Sequence, residues 1–401
     1  MNLEKQYKNI SLTQFLEQMD RNDFVWIIKR LSGNDTGLTG GHQVGMYVPS
    51  SFVKAVMPEV CTTERLNPDK FFDCYIASND CLQAGVRVIY YNNRFFGGTR
   101  NEFRITRWAG TPLQDEENTG SICILGCQRV GDDVNALSWV AQTKEDELLI
   151  ENWLGEEVEP GRQYISTEMK QRKVNENVLD LLPKEWYDTF PSGKDIFKFI
   201  ESRLPQIQWK KTVDELLLAR RALEFEVFAE VERQNVLPNI RDGFSTVDDF
   251  IRYSNSVANR RKSRAGTSLE LHLESIFNYE KLKFEAQAVT ELNKKPDFLF
   301  PSGIAYHDAT YPETKLHMLA SKTCCKDRWR QVINEADRIK QKHLFTLQEG
   351  VSGNQLKEMY KEGIVLVVPQ PILKSFPKEY HDQILSLTEF VDFIKTSQRA
   401  I

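Results

Sequence analysis

Two short stretches concentrate the side chains best suited to chemistry. NKKPDFLFP at 293–301 sets Asp297 at the head of an apolar strand. SKTCCKDRWRQVINEAD at 321–337 brings Lys322, Lys326, Asp327, Arg328 and Glu335 in behind a second apolar run. Each of these side chains is costly to bury unless paired, so the cluster is either a salt-bridged corner of a core or a reaction centre. Hydrolysis of a phosphodiester needs one or two hard cations to activate water and neutralise the scissile phosphate. Hard cations take oxygen ligands, which carboxylates supply. A nearby ammonium positions the attacking water or stabilises the charge that develops. If the strands bearing Asp297 and Lys322 are neighbours, their ends present an acid and an ammonium at one edge.

The elements that must position these residues fall into two kinds. Up to about residue 165, short apolar runs such as VRVIYY (86–91), SICILGC (121–127) and LSWVAQT (137–143) alternate with Gly, Asn and Asp clusters, as in a barrel or sandwich. Helices are expected near 11–20 and 50–57, and a Gly-rich loop over 32–49. From about 155 to 178 the chain turns polar and poor in core formers. Beyond it come helical segments at 214–238, 247–263 and 267–282, the last with Leu269, Leu273, Ile276 and Phe277 on one stripe. Strands are expected near 284–289, 297–300, 316–323, 343–347 and 364–369. Helices are expected over 327–341, 353–361 and 384–396, the first burying Trp329, Val332, Ile333, Ala336 and Ile339. This is an α/β domain with a mixed central sheet.

A length of 401 residues calls for two domains. The boundaries read as 1–165, a linker over 166–178, and 179–401. The longest apolar runs, such as GIVLVVP at 363–369, are far short of the roughly 20 residues that span a bilayer. The N-terminal residues carry no secretion signal. Seven cysteines without paired CxxC spacing argue against a zinc ribbon or a disulfide framework, and so for a reducing cytosol. The net charge of −5 disfavours a nucleic-acid partner, but its distribution does not. RYSNSVANRRKSRAG (252–266) has five cations and no acid, and NNRFFGGTRNEFRITRW (92–108) has four arginines against Glu102, interleaved with aromatics. Neither GxxxxGK[ST] nor GxGxxG occurs in the Gly-rich loop, which removes a nucleotide-cradling role. Cys324 and Cys325 lack a His or Asn partner signature and are expected as small residues turning strand into helix. The six histidines lack metal spacing such as HExxH.

Pro296-Asp297 followed by Lys322 resembles the PD-(D/E)xK nucleases, with Ala320 where the second acid usually stands. In one branch of that superfamily the acid has moved to the following helix, and Glu335 fits the relocated position. A further acid on the preceding helix is Glu270, with Glu274 one turn later. Longer runs then match a single family. NRRKSRAG-SLELHLE, NKKPDFLFPS, KDRWRQ-NEAD and HLFTLQEGVS, with NDTG-TGGHQVG-Y-PS, TRNE-RITRW and PLQD-ENTG in the first half, resemble the EcoRII family of restriction endonucleases over nearly the whole chain.

That resemblance implies a bacterial, cytoplasmic restriction-modification enzyme. It implies a homodimeric, Mg2+-dependent type IIE nuclease that cleaves double-stranded DNA at CC(A/T)GG, activated by a second copy of the site on an N-terminal DNA-binding pseudobarrel. A cognate methyltransferase would act on the same site. Carried over by motif, Asp297, Lys322 and Glu335 form the active site, Glu270 supports the metal beside Asp297 and Glu335, and Tyr306 matches a tyrosine implicated in activity. Lys326, Asp327 and Arg328 match the segment that reads the outer C:G pairs, where Lys and Arg donate to guanine and Asp accepts from cytosine. His42, Tyr47, Arg100, Glu102 and Arg104 fall on effector-contact positions. Gly98 and Phe103 stand where the family pattern expects cations, which should weaken phosphate contacts there. The alternatives are a DNA-binding protein with an inactive nuclease scaffold and a repair or structure-specific nuclease on the same fold.

Overall fold

In the computed structural model, which describes residues 3–40, 44–170, 176–203, 212–326 and 328–399, two sheets organise the chain. The first has eight strands: β1 (Phe24–Arg30), β2 (Met46–Val48), β3 (Asp69–Ile76), β4 (Cys81–Tyr91), β5 (Glu102–Thr106), β6 (Ile122–Val130), β7 (Asp133–Val140) and β8 (Gln163–Ile165). Their order is β2-β5-β4-β3-β7-β6-β1-β8, and every pairing is antiparallel except β3 with β7. The backbone ladders do not close, but the edges meet where Gln163 Nε2 on β8 donates to the Tyr47 carbonyl on β2, 3.4 Å away. The result is a pseudobarrel. Val48, Val88, Ile105, Leu125 and Ala136 fill one face. On the other, Ile28, Ile124 and Trp139 pack with Phe15 and Leu16 of the helix Leu12–Met19 and with Ile150 of Lys144–Leu154.

The second sheet has six strands: β9 (Glu285–Ala286), β10 (Phe298–Phe300), β11 (His317–Lys322), β12 (Lys342–Thr346), β13 (Ile364–Val368) and β14 (Leu385–Ser386). The order is β14-β13-β12-β11-β10-β9, parallel from β11 to β14 and antiparallel at β10. Both faces are covered, as buried parallel strands require. Leu269, Leu273, Ile276 and Phe277 of a long helix pack on one face with Phe390 and Ile394 of Leu387–Arg399. Met318, Ala320, Val332, Ala336 and Leu356 pack on the other.

Four expected elements differ in form. The helices expected at 247–263 and 267–282 are one helix of 33 residues, Val247–Tyr279. The helix expected over 214–238 runs from Val213 through Pro238 to Asp242. The helix expected over 327–341 is a single turn, Trp329–Val332, after which the chain bends and Ala336 takes φ 49°. Trp329, Val332, Ala336 and Ile339 are all buried nevertheless, because a series of turns puts the same apolar spacing into the core. Over 166–178, the described residues form two short helices, Ser166–Lys170 and Glu176–Leu179.

Candidate active site

Asp297 immediately precedes β10, and Lys322 ends β11. The register Phe298↔Leu319 makes these strands direct neighbours. Asp297 Oδ2 accepts from the Ser321 backbone N–H at 2.7 Å and the Ser321 hydroxyl at 3.2 Å, and pairs with Lys322 Nζ at 3.2 Å. Its Oδ1 accepts from Gln287 Nε2 at 3.1 Å. Four donors thus fix one carboxylate at the sheet edge before any ligand arrives. Ala320 is fully buried in the same core cluster as Val332 and Ala336, so the position of the missing acid faces the segment that leads to Glu335.

Glu335 is carried by the bend after the Trp329–Val332 turn rather than by a helix. Burial pushes its carboxyl up to about 6, against the pull of Lys322 and with the help of the Asp297 charge. Its Oε2 is buried without a hydrogen-bond partner. Glu270, on the helix Val247–Tyr279, is likewise raised, first by burial and then by Asp297, with Lys322 opposing. Two carboxyls raised around one ammonium, and a buried acceptor oxygen with nothing to accept, are what a hard cation would relieve. The residues therefore fit a divalent ion. Among the described residues no three carboxylate, imidazole or thiolate groups converge into a ready-made cage. An ion bound there would draw the carboxylates together, with substrate phosphate and water completing its shell.

The bend carrying Glu335 is braced from several sides. Glu291 accepts from the Tyr306 hydroxyl at 2.5 and 2.6 Å and from the Asp337 N–H at 3.2 Å, while the Arg338 N–H donates to the Tyr306 oxygen at 3.2 Å. Lys342 Nζ donates to the Ile333 carbonyl at 2.5 Å, and Lys294 Nζ donates to that of Asn334. Tyr306 is buried, and burial and then Glu291 raise its hydroxyl well above the usual range. Through Glu291 and the Arg338 N–H it braces the bend that carries Glu335. Glu291 and Gln287 had no signal in the sequence beyond lying upstream of Asp297.

Lys326 occupies the turn after Cys325, its ammonium bonded to Ser121 Oγ of the pseudobarrel, and Arg328 is exposed one residue before the Trp329–Val332 turn. Asp327 and His42 lie outside the described residues. Cys324 and Cys325 are buried and burial raises both thiols, so neither is a nucleophile at neutral pH.

Where the pseudobarrel meets the second half, Tyr47 and Arg104 line a cleft of about 630 Å³ together with Lys29, Asp35, Glu349 and Lys374. The Tyr47 N–H donates to Asp35 Oδ1 at 3.1 Å, and Asp35 pairs with buried Lys29 at 2.6 Å. Glu102 holds Arg104 at 3.1 Å and also pairs with Arg100, whose guanidinium lies 4.5 Å from the Tyr91 ring centre. Burial raises the Glu102 carboxyl, but Arg104 and Arg100 outweigh it and hold it low. Phe103 is buried and stacks on Tyr90 at 4.1 Å, so its side chain belongs to the barrel core. One expectation needs correction. The basic stretch 252–266 does not form an open DNA face. Arg261 pairs with Glu232, Lys262 with Asn152 and Arg264 with Glu159, while Arg260 lies over Phe190.

Comparison with known proteins agrees with this geometry. A family model described as EcoRII C terminal matches residues 228–391, and one for the N-terminal part of restriction endonuclease EcoRII matches 20–170. Over 388 residues the chain is 46% identical to the type II restriction enzyme EcoRII of Escherichia coli, covering 94% of this chain and 95% of that one. The chain belongs to the EcoRII family of restriction enzymes. Like its family it is a type II site-specific deoxyribonuclease, a phosphodiester hydrolase that binds DNA. Enzymes of this type generally work with a divalent metal ion. Two solved structures of metal-depleted Ecl18kI with uncleaved DNA are also similar, each 20% identical. One covers 52% of this chain and 78% of that one at a TM-score of 0.41, the other 56% and 83% at 0.40. Among the described residues no helix is long and apolar enough to cross a membrane.

Proposed function

We propose that this EcoRII-family enzyme cuts double-stranded DNA at a short site of the CC(A/T)GG type with Mg2+, as a homodimer in the bacterial cytoplasm. The carrying observation is the Asp297–Lys322 pair on adjacent strand ends, with the unpartnered oxygen of Glu335 in the same electrostatic neighbourhood. Asp297, Glu335 and Glu270 would hold the ion, which supplies water activation and charge neutralisation at the scissile phosphate. Lys322 pairs with Asp297 and holds it in place, and its ammonium would offset the charge that builds on phosphate oxygens. Tyr306 and Glu291 fix the bend that carries Glu335. Lys326, Asp327 and Arg328 read the outer base pairs.

In this reading residues 1–165 form the effector domain, with His42, Tyr47, Arg100, Glu102 and Arg104 touching the second DNA site. Residues 166–178 form the linker and 179–401 the catalytic domain. The effector domain restrains the catalytic one until that second site binds. Contacts across the two support this. Lys326 bonds Ser121, Ser352 and Asn354 bond Glu117 at 3.0 and 2.8 Å, and Arg221 and Arg264 bond Glu159. A digest of unmethylated plasmid carrying several such sites, with and without Mg2+, tests the reading. Double-strand cuts at discrete sites are expected with the ion alone. Lys322→Ala should abolish cutting and leave specific binding measurable, and a fully active variant would overturn the assignment.

A further inference from the structure

Gln348 lies just beyond β12 in HLFTLQEGVS, fully buried. Its Oε1 accepts from the backbone N–H of Cys325 at 3.0 Å and of Lys326 at 2.9 Å, and from Cys324 Sγ at 3.0 Å. Its Nε2 donates to the Gly350 carbonyl at 2.8 Å. One amide therefore pins both peptide planes of the turn that presents Lys326 and, two residues on, Arg328.

The other side of the same amide meets the pseudobarrel. Gly120 stands there at φ 89°, and a Cβ on it would lie 2.5 Å from Gln348 Nε2, so only glycine leaves room for the contact. Its neighbour Ser121 accepts from the Lys326 ammonium. One residue past Gln348, the Glu349 carbonyl accepts from the Gly33 N–H at 2.6 Å.

We propose that Gln348 is the positioning residue of the DNA-reading turn and the point where the Gly120–Ser121 turn of the effector domain bears on it. This rests on the reading of Lys326 and Arg328 as base contacts. The catalytic lysine is anchored differently. Lys322 pairs with Thr346 in the β11–β12 ladder and with Asp297 across the edge. Loss of the Gln348 oxygen leaves two neighbouring buried N–H groups unpaired in the turn alone. The defect belongs in site binding and base discrimination and leaves the chemical step intact.

The test uses the full chain with two-site DNA, measuring KM, kcat and discrimination against a site with one outer C:G pair exchanged. Gln348→Met, similar in volume but without the accepting oxygen, should raise KM by about 30-fold, cut discrimination by about 10-fold and keep kcat within about 3-fold. Gln348→Glu retains an acceptor and should return KM to within about 3-fold of the parent. Ser121→Ala, a small change that also serves if Gln348→Met does not fold, should speed single-site cleavage about 3-fold or more without altering discrimination. Wild-type KM and discrimination in Gln348→Met, a loss in kcat alone, an equally defective Gln348→Glu, or an unaltered Ser121→Ala each overturn the inference. If the parent chain cuts no DNA, the nuclease reading itself fails. If the parent cuts and only the variants disappoint, that reading stands and the role of Gln348 falls.

Discussion

Replacing Glu159 by glutamine should release the catalytic domain. Glu159 lies on the segment leading into β8, and its carboxylate sits between two guanidiniums of the catalytic half. Arg221 is at 2.7 Å on the helix Val213–Asp242, and Arg264 is on Val247–Tyr279. All three side chains are nearly fully buried. Burial works against ionisation, but Arg264 and then Arg221 outweigh it and bring the carboxyl from 4.5 to about 2. A shift of that size is on the order of 3 kcal/mol in favour of the closed, folded state at neutral pH. The sign follows from the lowered value. The contribution is complete above the ordinary 4.5 and is lost as pH falls through about 2. Glu159→Gln keeps the shape but removes the carboxylate that Arg221 and Arg264 share, a change that costs roughly 3–5 kcal/mol in buried pairs. Part of that loss falls on domain closure, where each ~1.4 kcal/mol is tenfold in the closed-to-open ratio. Cleavage of a single-site plasmid without effector DNA should therefore rise about 10- to 100-fold, with a smaller gain on two-site DNA. Agarose-gel rates with and without an effector oligonucleotide measure this, alongside a melting curve. Wild-type single-site rate together with wild-type melting would refute the reasoning, since the pair would then hold nothing.

Further outcomes follow from the same geometry. Cleavage should gain rate as pH rises through about 6, where Glu335 loses its proton, and level off above it; a profile flat between pH 5 and 7 at low Mg2+ would contradict that placement. Tyr306→Phe removes the bonds to Glu291 and the acceptor for the Arg338 N–H, and should lower kcat about 10-fold with little change in KM; single-turnover rates decide it. A fragment beginning near residue 180 should cut single-site DNA faster than the whole chain, and equal or slower cutting counts against the restraint.

The strands that place Asp297 and Lys322 were legible because FLF and HMLASK are short, apolar and β-forming. The helix expected around Glu335 was not. Apolar residues at 329, 332, 336 and 339 satisfy a helical stripe and a chain of turns equally well. What selects the turns is distant: Glu291, Tyr306, Lys294 and Lys342 tie the backbone of 333–338. The run 252–266 looked like a DNA face because it contains no acid of its own. Its partners Glu159, Glu232 and Asn152 come from elsewhere in the chain. Strand alternation likewise turns Phe103 inward onto Tyr90, while its neighbours Glu102 and Arg104 stay partly exposed.

The helix Val247–Tyr279 carries Arg264, clasped by Glu159 of the N-terminal half, and six residues later Glu270, whose carboxyl feels Asp297. That is a separation of roughly 9 Å along one unbroken rod. The helix is continuous between the two, so a tilt at one is passed to the other. By thermodynamic reciprocity, any closure that moves Glu270 away from an ion must itself be opposed by the ion. Raising the concentration of a divalent ion should therefore loosen the grip between the two halves even before DNA is present, so an ion at the proposed site would also act as a partial effector.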